Sequence, residues 1–254
     1  MIVIKSPEEI AHMREAGRIV ATVLHELSEE IKPGVTTKDL DKIAAQLLVR
    51  EGAKSPFKDY RPSYTHRPFP GTTCMSINEE IVHGVPSSRR LQEGDILSVD
   101  CGASFNDWIA DSAWTFPVGR ISGEAQDLLD ATEEALHASI AVAMPGSRTG
   151  DVASAMQQAV ESYGYNVIRR HTSHGVGRDL HEDPQILNHG HPGKGPRLRR
   201  GMTIALEPMV LAGHYDTEVL DDSWTVVSKD GSLTAHFEHT VAVADGEPEI
   251  LTKI

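Results

Sequence analysis

The sequence predicts an α+β protein of two halves related by an approximate two-fold axis, each with antiparallel strands and outer helices. Three observations carry that prediction. Lys32-Pro33-Gly34-Val35-Thr36-Thr37-Lys38-Asp39-Leu40 recurs as Met144-Pro145-Gly146-Ser147-Arg148-Thr149-Gly150-Asp151-Val152, offset by 112. Leu91-Gln92-Glu93-Gly94-Asp95-Ile96-Leu97-Ser98-Val99-Asp100 recurs as Leu198-Arg199-Arg200-Gly201-Met202-Thr203-Ile204-Ala205-Leu206-Glu207, offset by 107. Around both repeats, helical periodicity gives way to short apolar runs that suit strands. No linker or low-complexity segment interrupts the chain, so residues 1–254 read as a single domain repeating over about 6–118 and about 122–250.

Each element has its own signal. A first helix from about Ser6 to Ile31 has Ser6 as N-cap, Pro7 at its first position and Glu9 in the capping-box place. Its apolar stripe is Ile10, Met13, Ile19, Val20, Val23, Leu24 and Leu27, close to a 3.6-residue period. A second helix spans Thr37 to Glu51 and stops at Gly52. Asp95–Asp100 and Trp108–Val118 read as two strands of a hairpin. A third helix covers Ser122 to Met144, and a fourth runs from Asp151 to Tyr163 before Gly164.

The hairpin carries the first chemical clue. With a two-residue turn at Phe105-Asn106, residue 104 pairs with 107, 102 with 109, and Asp100 with Asp111. Like charges directly opposed destabilise a sheet, and apolar neighbours worsen the repulsion by desolvation. No Lys or Arg lies in residues 91–118 to relieve it. A bound cation is the economical answer.

Composition limits the alternatives. Lys and Arg number 24 against 37 Asp and Glu, a formal charge of −13, which argues against wholesale nucleic-acid binding. Two cysteines, Cys74 and Cys101, are too few for a disulfide framework and point to a reducing cytoplasm. No signal-peptide core and no apolar run of about 18 residues is present, so no membrane role is expected.

The acids recur with the repeat. Asp100 matches Glu207, the Asp111 strand has a looser echo at Glu238-His239-Thr240, and His83-Gly84-Val85 echoes His174-Gly175-Val176. Asp100, Asp111, His174, Glu207 and Glu238 together form an oxygen-rich set suited to Mn, Fe, Co or Zn. Two divalent ions balance four carboxylates and leave His174 as a neutral ligand. Such paired ions clamp a bridging water as nucleophile.

These residues carry a resemblance. Ser98-Val99-Asp100-Cys101-Gly102, Asp111, Thr172-Ser173-His174-Gly175-Val176-Gly177, Ala205-Leu206-Glu207-Pro208 and Phe237-Glu238-His239-Thr240 resemble type I methionine aminopeptidases of peptidase family M24. Ser76-Ile77-Asn78-Glu79-Glu80-Ile81-Val82-His83-Gly84-Val85-Pro86 and Asp222-Ser223-Trp224-Thr225-Val226 fit the same family. The resemblance covers essentially the whole chain and implies the pita-bread fold. It implies metal-dependent removal of N-terminal methionine from nascent chains with a small second residue, through a bridging water or hydroxide. Two divalent ions (Co, Mn, Fe, Zn or Ni) are implied, held by Asp100, Asp111, His174, Glu207 and Glu238, with Asp111 and Glu238 bridging. Glu207 also takes the proton of the attacking water, His181 stabilises the oxyanion, and His83 contacts substrate or shuttles a proton. Phe69, Cys74 and Trp224 match positions lining the thioether pocket.

Two departures flank that pocket. Leu180 stands where the family usually has an aromatic residue, and the segment 58–67 is more polar than the glycine- and aromatic-rich loop expected there. Prolidases and aminopeptidases P, the nearest rivals, carry a long N-terminal domain before helices that here begin at Ser6. Type II methionine aminopeptidases have a large insertion between the positions of His174 and Glu207, which here are separated by only 32 residues. A non-catalytic scaffold typically loses ligands, whereas all five are present. The basic group Lys194, Arg197, Arg199 and Arg200 suggests docking on ribosomal RNA. A monomer is expected, with no specific DNA partner.

Overall fold

The computed structural model describes residues 1–62 and 65–253. Ser63 and Tyr64, part of the polar segment at 58–67, lie outside the described residues, as does Ile254. Four helices occur where the periodicity placed them: α1 (Pro7–Ser28), α2 (Thr37–Arg50), α3 (Gly123–Val142) and α4 (Thr149–Ser162). At the start of α1 the Glu9 amide donates to Ser6 Oγ at 3.2 Å, and the Ser6 amide donates to Glu9 Oε2 at 2.8 Å. This capping box satisfies two of the helix's otherwise unpaired donors. The helix closes three residues short of Ile31, with Glu29 as its C-cap. Helix α4 opens two residues before Asp151, whose carboxylate instead accepts the Arg148 amide at 2.7 Å from within the first turn. Gly52 and Gly164 follow their helices at φ +72° and +82°, the left-handed conformation that favours glycine.

Each half buries its own core. Ile19, Val20, Val23 and Leu27 of α1 pack with Leu97, Val99, Cys101 and Ala103. Leu128, Leu136, Val152 and Met156 of α3 and α4 pack with Ile204, Leu206, Val210 and Phe237. A further apolar cluster of Met13, Phe69, Cys74, Ile109, Ala205 and Trp224 joins residues of both halves.

Strands Ile96–Phe105 and Trp108–Pro117 form the long hairpin, but one residue out of the expected register. The turn is Asn106-Asp107, with φ of +50° and +64°, and Phe105 pairs with Trp108. Both central residues of this turn type need positive φ, which Asn and Asp tolerate and Phe does not. Asp111 is therefore opposite Gly102, and Asp100 opposite Ala113. The strand period of two keeps both carboxylates on one face, now as diagonal neighbours rather than a direct pair.

The direct acidic pair occurs in the second half. His239 pairs with Leu206 and His236 with Met209, and the same register carried across the break between these two ladders sets Glu207 opposite Glu238.

The pseudo-two-fold relation extends to individual bonds. Gly34 donates to the Leu91 carbonyl at 2.7 Å, and Gly146 to that of Leu198 at 3.0 Å. Leu91 and Leu198 donate back to Val35 and Ser147 at 2.9 and 2.7 Å. At the join between the halves, Thr115 Oγ1 donates to the His236 carbonyl and accepts the His236 amide, both at 2.9 Å. Thr240 Oγ1 binds the carbonyl and amide of Asp111 in the same way, at 2.8 and 2.9 Å.

These ladders revise two of the echoes. Glu207 is the counterpart of Asp100, but the counterpart of Asp111 is His236 and that of Glu238 is Ala113. His174 corresponds in register to Ser76, not to His83. The sequence echoes at Glu238 and His174 arise from short matching strings at unequal rungs of the two sheets.

Candidate metal centre

Five elements converge on one spot. Asp100 and Asp111 come from the two strands of the first hairpin, and His174 from strand Thr172–Gly175. Glu207 and Glu238 sit at the break between the paired strands of the second half. The Glu207 amide is fixed by Ser173 Oγ at 2.9 Å, and the Glu238 amide by the Ala113 carbonyl at 2.8 Å. Ligand atoms of Asp111, His174 and Glu238 lie within 4.8 Å of one another. Asp111 and Glu238 are 4 % and 2 % exposed, so their charges cannot be left to solvent.

The electrostatics ask for a cation. Burial and the Asp111 charge hold the Asp100 carboxyl well above its usual range. Asp111 is pushed up to about 7 by burial, moderated by its hydrogen bond with Asp100. Glu207 and Glu238 are raised well above normal by burial and then by neighbouring carboxylates. Within 4 Å, the nitrogen groups beside the glutamates are the imidazoles of His174 and His236, neutral rings, rather than Lys or Arg. Asp100 Oδ1, Asp111 Oδ1, Glu207 Oε1 and Glu238 Oε1 are buried without a hydrogen-bond partner. A buried carboxylate without compensation costs several kcal/mol, so four orphaned carboxylate oxygens lining one cavity fit a divalent cation.

The histidines are neutral. His174 is pushed down to about 3 by burial and by His181. Its Nδ1 lies 2.9 Å from the Gly175 carbonyl, which only accepts, so the ring hydrogen is on Nδ1. Nε2, 3.4 Å from Glu207 Oε1, then carries the ring's lone pair, the form of imidazole suited to a metal. His83 is pushed down to about 3 by burial and surrounding imidazoles, and His181 is lowered by burial.

All ten residues singled out from the sequence line one cavity of about 670 Å³: Asp100, Asp111, His174, Glu207, Glu238, His83, His181, Phe69, Cys74 and Trp224. The acids lie together, while Phe69 and Trp224 meet edge to face at 5.1 Å beside Cys74 and Leu180. Cys74 pairs with Asp100 across the sheet and stays a thiol, raised well above its usual range by burial and the nearby aspartates. A carboxylate-rich region joined to an apolar recess suits hydrolysis of a substrate anchored by an apolar side chain.

Three lining residues were not read from the sequence. Tyr60 places its hydroxyl 2.8 Å from His181 Nδ1. His171 packs edge to face on His83 at 5.3 Å. His236, 2 % exposed, points Nε2 at Glu207 Oε2 (3.7 Å) and Glu238 Oε2 (3.9 Å). The available signal for His236 was its place two residues before Glu238; for Tyr60 and His171 the sequence offers only their types.

A buried acid–imidazole set beside an apolar recess, on two pseudo-symmetric halves, defines a metal-dependent enzyme. Residues 11–245 match the metallopeptidase family M24, and the chain belongs to that family. It is 49 % identical over 254 residues to methionine aminopeptidase 1 of Bacillus subtilis, covering 100 % of both chains. It is 47 % identical over 253 residues to a methionine aminopeptidase of Clostridium acetobutylicum, covering 99 % of each. The crystal structure of a Thermotoga maritima methionine aminopeptidase superposes with a TM-score of 0.96 at 45 % identity, covering 100 % of both chains. These match the pita-bread architecture expected from the motifs. Among the described residues no helix is long and apolar enough to cross a membrane.

Proposed function

We propose that the chain is a methionine aminopeptidase, hydrolysing the first peptide bond of proteins whose second residue is small. The observation that carries this reading is the join of orphaned carboxylate oxygens to a recess walled by Phe69, Cys74, Leu180 and Trp224. An unbranched thioether fits such soft apolar walls.

Two divalent ions (Co, Mn, Fe, Zn or Ni) would be held by Asp100, Asp111, His174, Glu207 and Glu238, with Asp111 and Glu238 shared between them. When bound, such ions supply Lewis acidity and lower the pKa of water towards neutrality. Glu207 takes the proton the attacking water gives up. His181 donates to the scissile carbonyl and steadies the charge that grows there. His83, neutral by burial, contacts the substrate as a hydrogen-bonding partner rather than as a cation. Phe69, Cys74 and Trp224 grip the methionine side chain. Residues 1–254 act as one catalytic domain, a monomer working in the cytoplasm on nascent N-termini. The exposed basic group at Lys194, Arg197, Arg199 and Arg200 docks it on the ribosome.

The test is hydrolysis of Met-Ala-Ser against Xaa-Pro peptides after dialysis against each metal in turn. Release of methionine from Met-Ala-Ser alone supports the assignment. Preferential cleavage beside proline would overturn it. Reversing the four basic charges should reduce co-sedimentation with ribosomes; unchanged co-sedimentation would remove the docking claim.

A further inference from the structure

His174 and His181 stand with ring centroids 4.4 Å apart, and each has its Nδ1 engaged by a different kind of partner. Nδ1 of His174 faces a carbonyl, an acceptor only. Nδ1 of His181 faces the Tyr60 phenol at 2.8 Å. A contact of 2.8 Å needs one hydrogen between the two atoms, which either the phenol or the ring nitrogen can supply. A phenol hydrogen on an unprotonated ring nitrogen is the stronger arrangement, because it pairs the better acid with the better base.

We propose that Tyr60 is a positioning residue that donates to Nδ1 of His181 and fixes the tautomer carrying its hydrogen on Nε2. The two neighbouring rings then hold opposite tautomers. His174 offers a lone pair at Nε2, and His181 offers an N–H there. This rests on the reading of His181 as donor to the scissile carbonyl, a task the other tautomer cannot perform.

The phenol is held in place by the backbone. The Tyr60 amide donates to the Phe57 carbonyl at 2.9 Å, and its carbonyl accepts the Phe69 amide at 3.0 Å. The Asp59 amide donates to the Phe69 carbonyl at 3.0 Å. These bonds fix the backbone of Tyr60 against Phe69. Tyr60 also packs against the apolar cluster containing Phe57, Phe69 and Leu180.

The test is ¹⁵N NMR of the zinc-loaded protein with labelled histidine, together with kinetics of Tyr60→Phe. In the wild-type protein His181 should show hydrogen on Nε2, and in Tyr60→Phe a mixture of both tautomers. That variant should lose about tenfold in kcat with KM within about twofold, the pattern of a contact made in the transition state. A wild-type His181 with hydrogen on Nδ1 overturns the proposal without any variant. An unchanged tautomer in folded Tyr60→Phe overturns it as well. If the protein proves inactive on methionyl peptides while His181 keeps its Nε2 hydrogen through Tyr60, the functional reading fails and the Tyr60 assignment stands.

Discussion

Thr240 holds Asp111 by both of its backbone groups, its hydroxyl accepting the amide at 2.9 Å and donating to the carbonyl at 2.8 Å. Thr115 does the same for His236, so the halves are joined by two reciprocal hydroxyl clamps. Each clamp grips a residue that faces the metal centre, so stability and chemistry share the same bonds.

Thr240→Val keeps the shape of a fully buried side chain and removes both bonds. Each buried partner left unsatisfied costs about 1–3 kcal/mol, so a loss of about 2–6 kcal/mol is expected in urea unfolding of the metal-free protein. Thr240→Ser retains the hydroxyl and should recover most of it. Equal destabilisation by Val and Ser would mean that the methyl contact, not the clamp, is what matters.

Metal binding should release protons. Asp111, pushed up to about 7 by burial, is partly protonated near neutrality, and a metal must displace that proton. Apparent affinity should therefore climb about tenfold between pH 6 and 7, one proton's worth. Calorimetry in buffers of different ionisation enthalpy would read the released protons. Affinity independent of pH would remove Asp111 from the ligand set.

The same shifts set the pH dependence of the metal-free fold. Acids whose folded pKa is raised hold protons that the unfolded chain gives up above about 4, so they make stability fall as pH rises. His83, His174 and His236, pushed down to about 3, act oppositely: their contribution is complete above about 6.5 and is lost as pH falls towards 3. From about pH 6.5 to 8 the buried acids of the centre dominate. Metal-free Tm should fall across that window, and loaded protein should hold level. A metal-free Tm that rises there would contradict the acid assignments.

The sequence made the helices and acids legible and left their exact pairing hidden. Capping residues and apolar stripes are local, so α1 to α4 could be read from them. The hairpin slipped by one residue because Asn106-Asp107 tolerates the positive φ of the turn, a preference stronger than the one assumed for Phe105-Asn106. That slip makes Asp100 and Asp111 diagonal neighbours instead of a direct pair. Tyr60 and His236 were missed for a different reason. A tyrosine 121 residues from His181 leaves no local trace of their contact. For His236 the one sequence signal was its place two residues before Glu238, and the ladders make it the two-fold mate of Asp111.

His236 should act on the metal through the glutamates. Its Nε2 lies 3.7 Å from Oε2 of Glu207 and 3.9 Å from Oε2 of Glu238, while the Oε1 atoms are left without a partner. Partners that orient ligands typically contribute 10–100-fold in metal affinity, so His236→Ala should weaken binding by about that much. Competition with a chelator would measure it. Unchanged affinity would leave His236 as a packing residue.

Glu207→Gln separates holding a metal from moving a proton. The amide keeps an oxygen near His174 Nε2, 3.4 Å from Oε1 at present, but cannot take up a proton as the carboxylate does. If Glu207 is the base, kcat on Met-Ala-Ser should fall by about 10²–10⁴-fold, the usual contribution of a positioned base. Affinity for a non-hydrolysed methionine analogue should stay within about threefold, since nothing in the Phe69–Trp224 recess has changed. Metal content measured on the same preparation distinguishes the two roles. A loss of metal matching the loss of rate would make Glu207 a ligand only. Retained metal with a depressed kcat would assign it the proton.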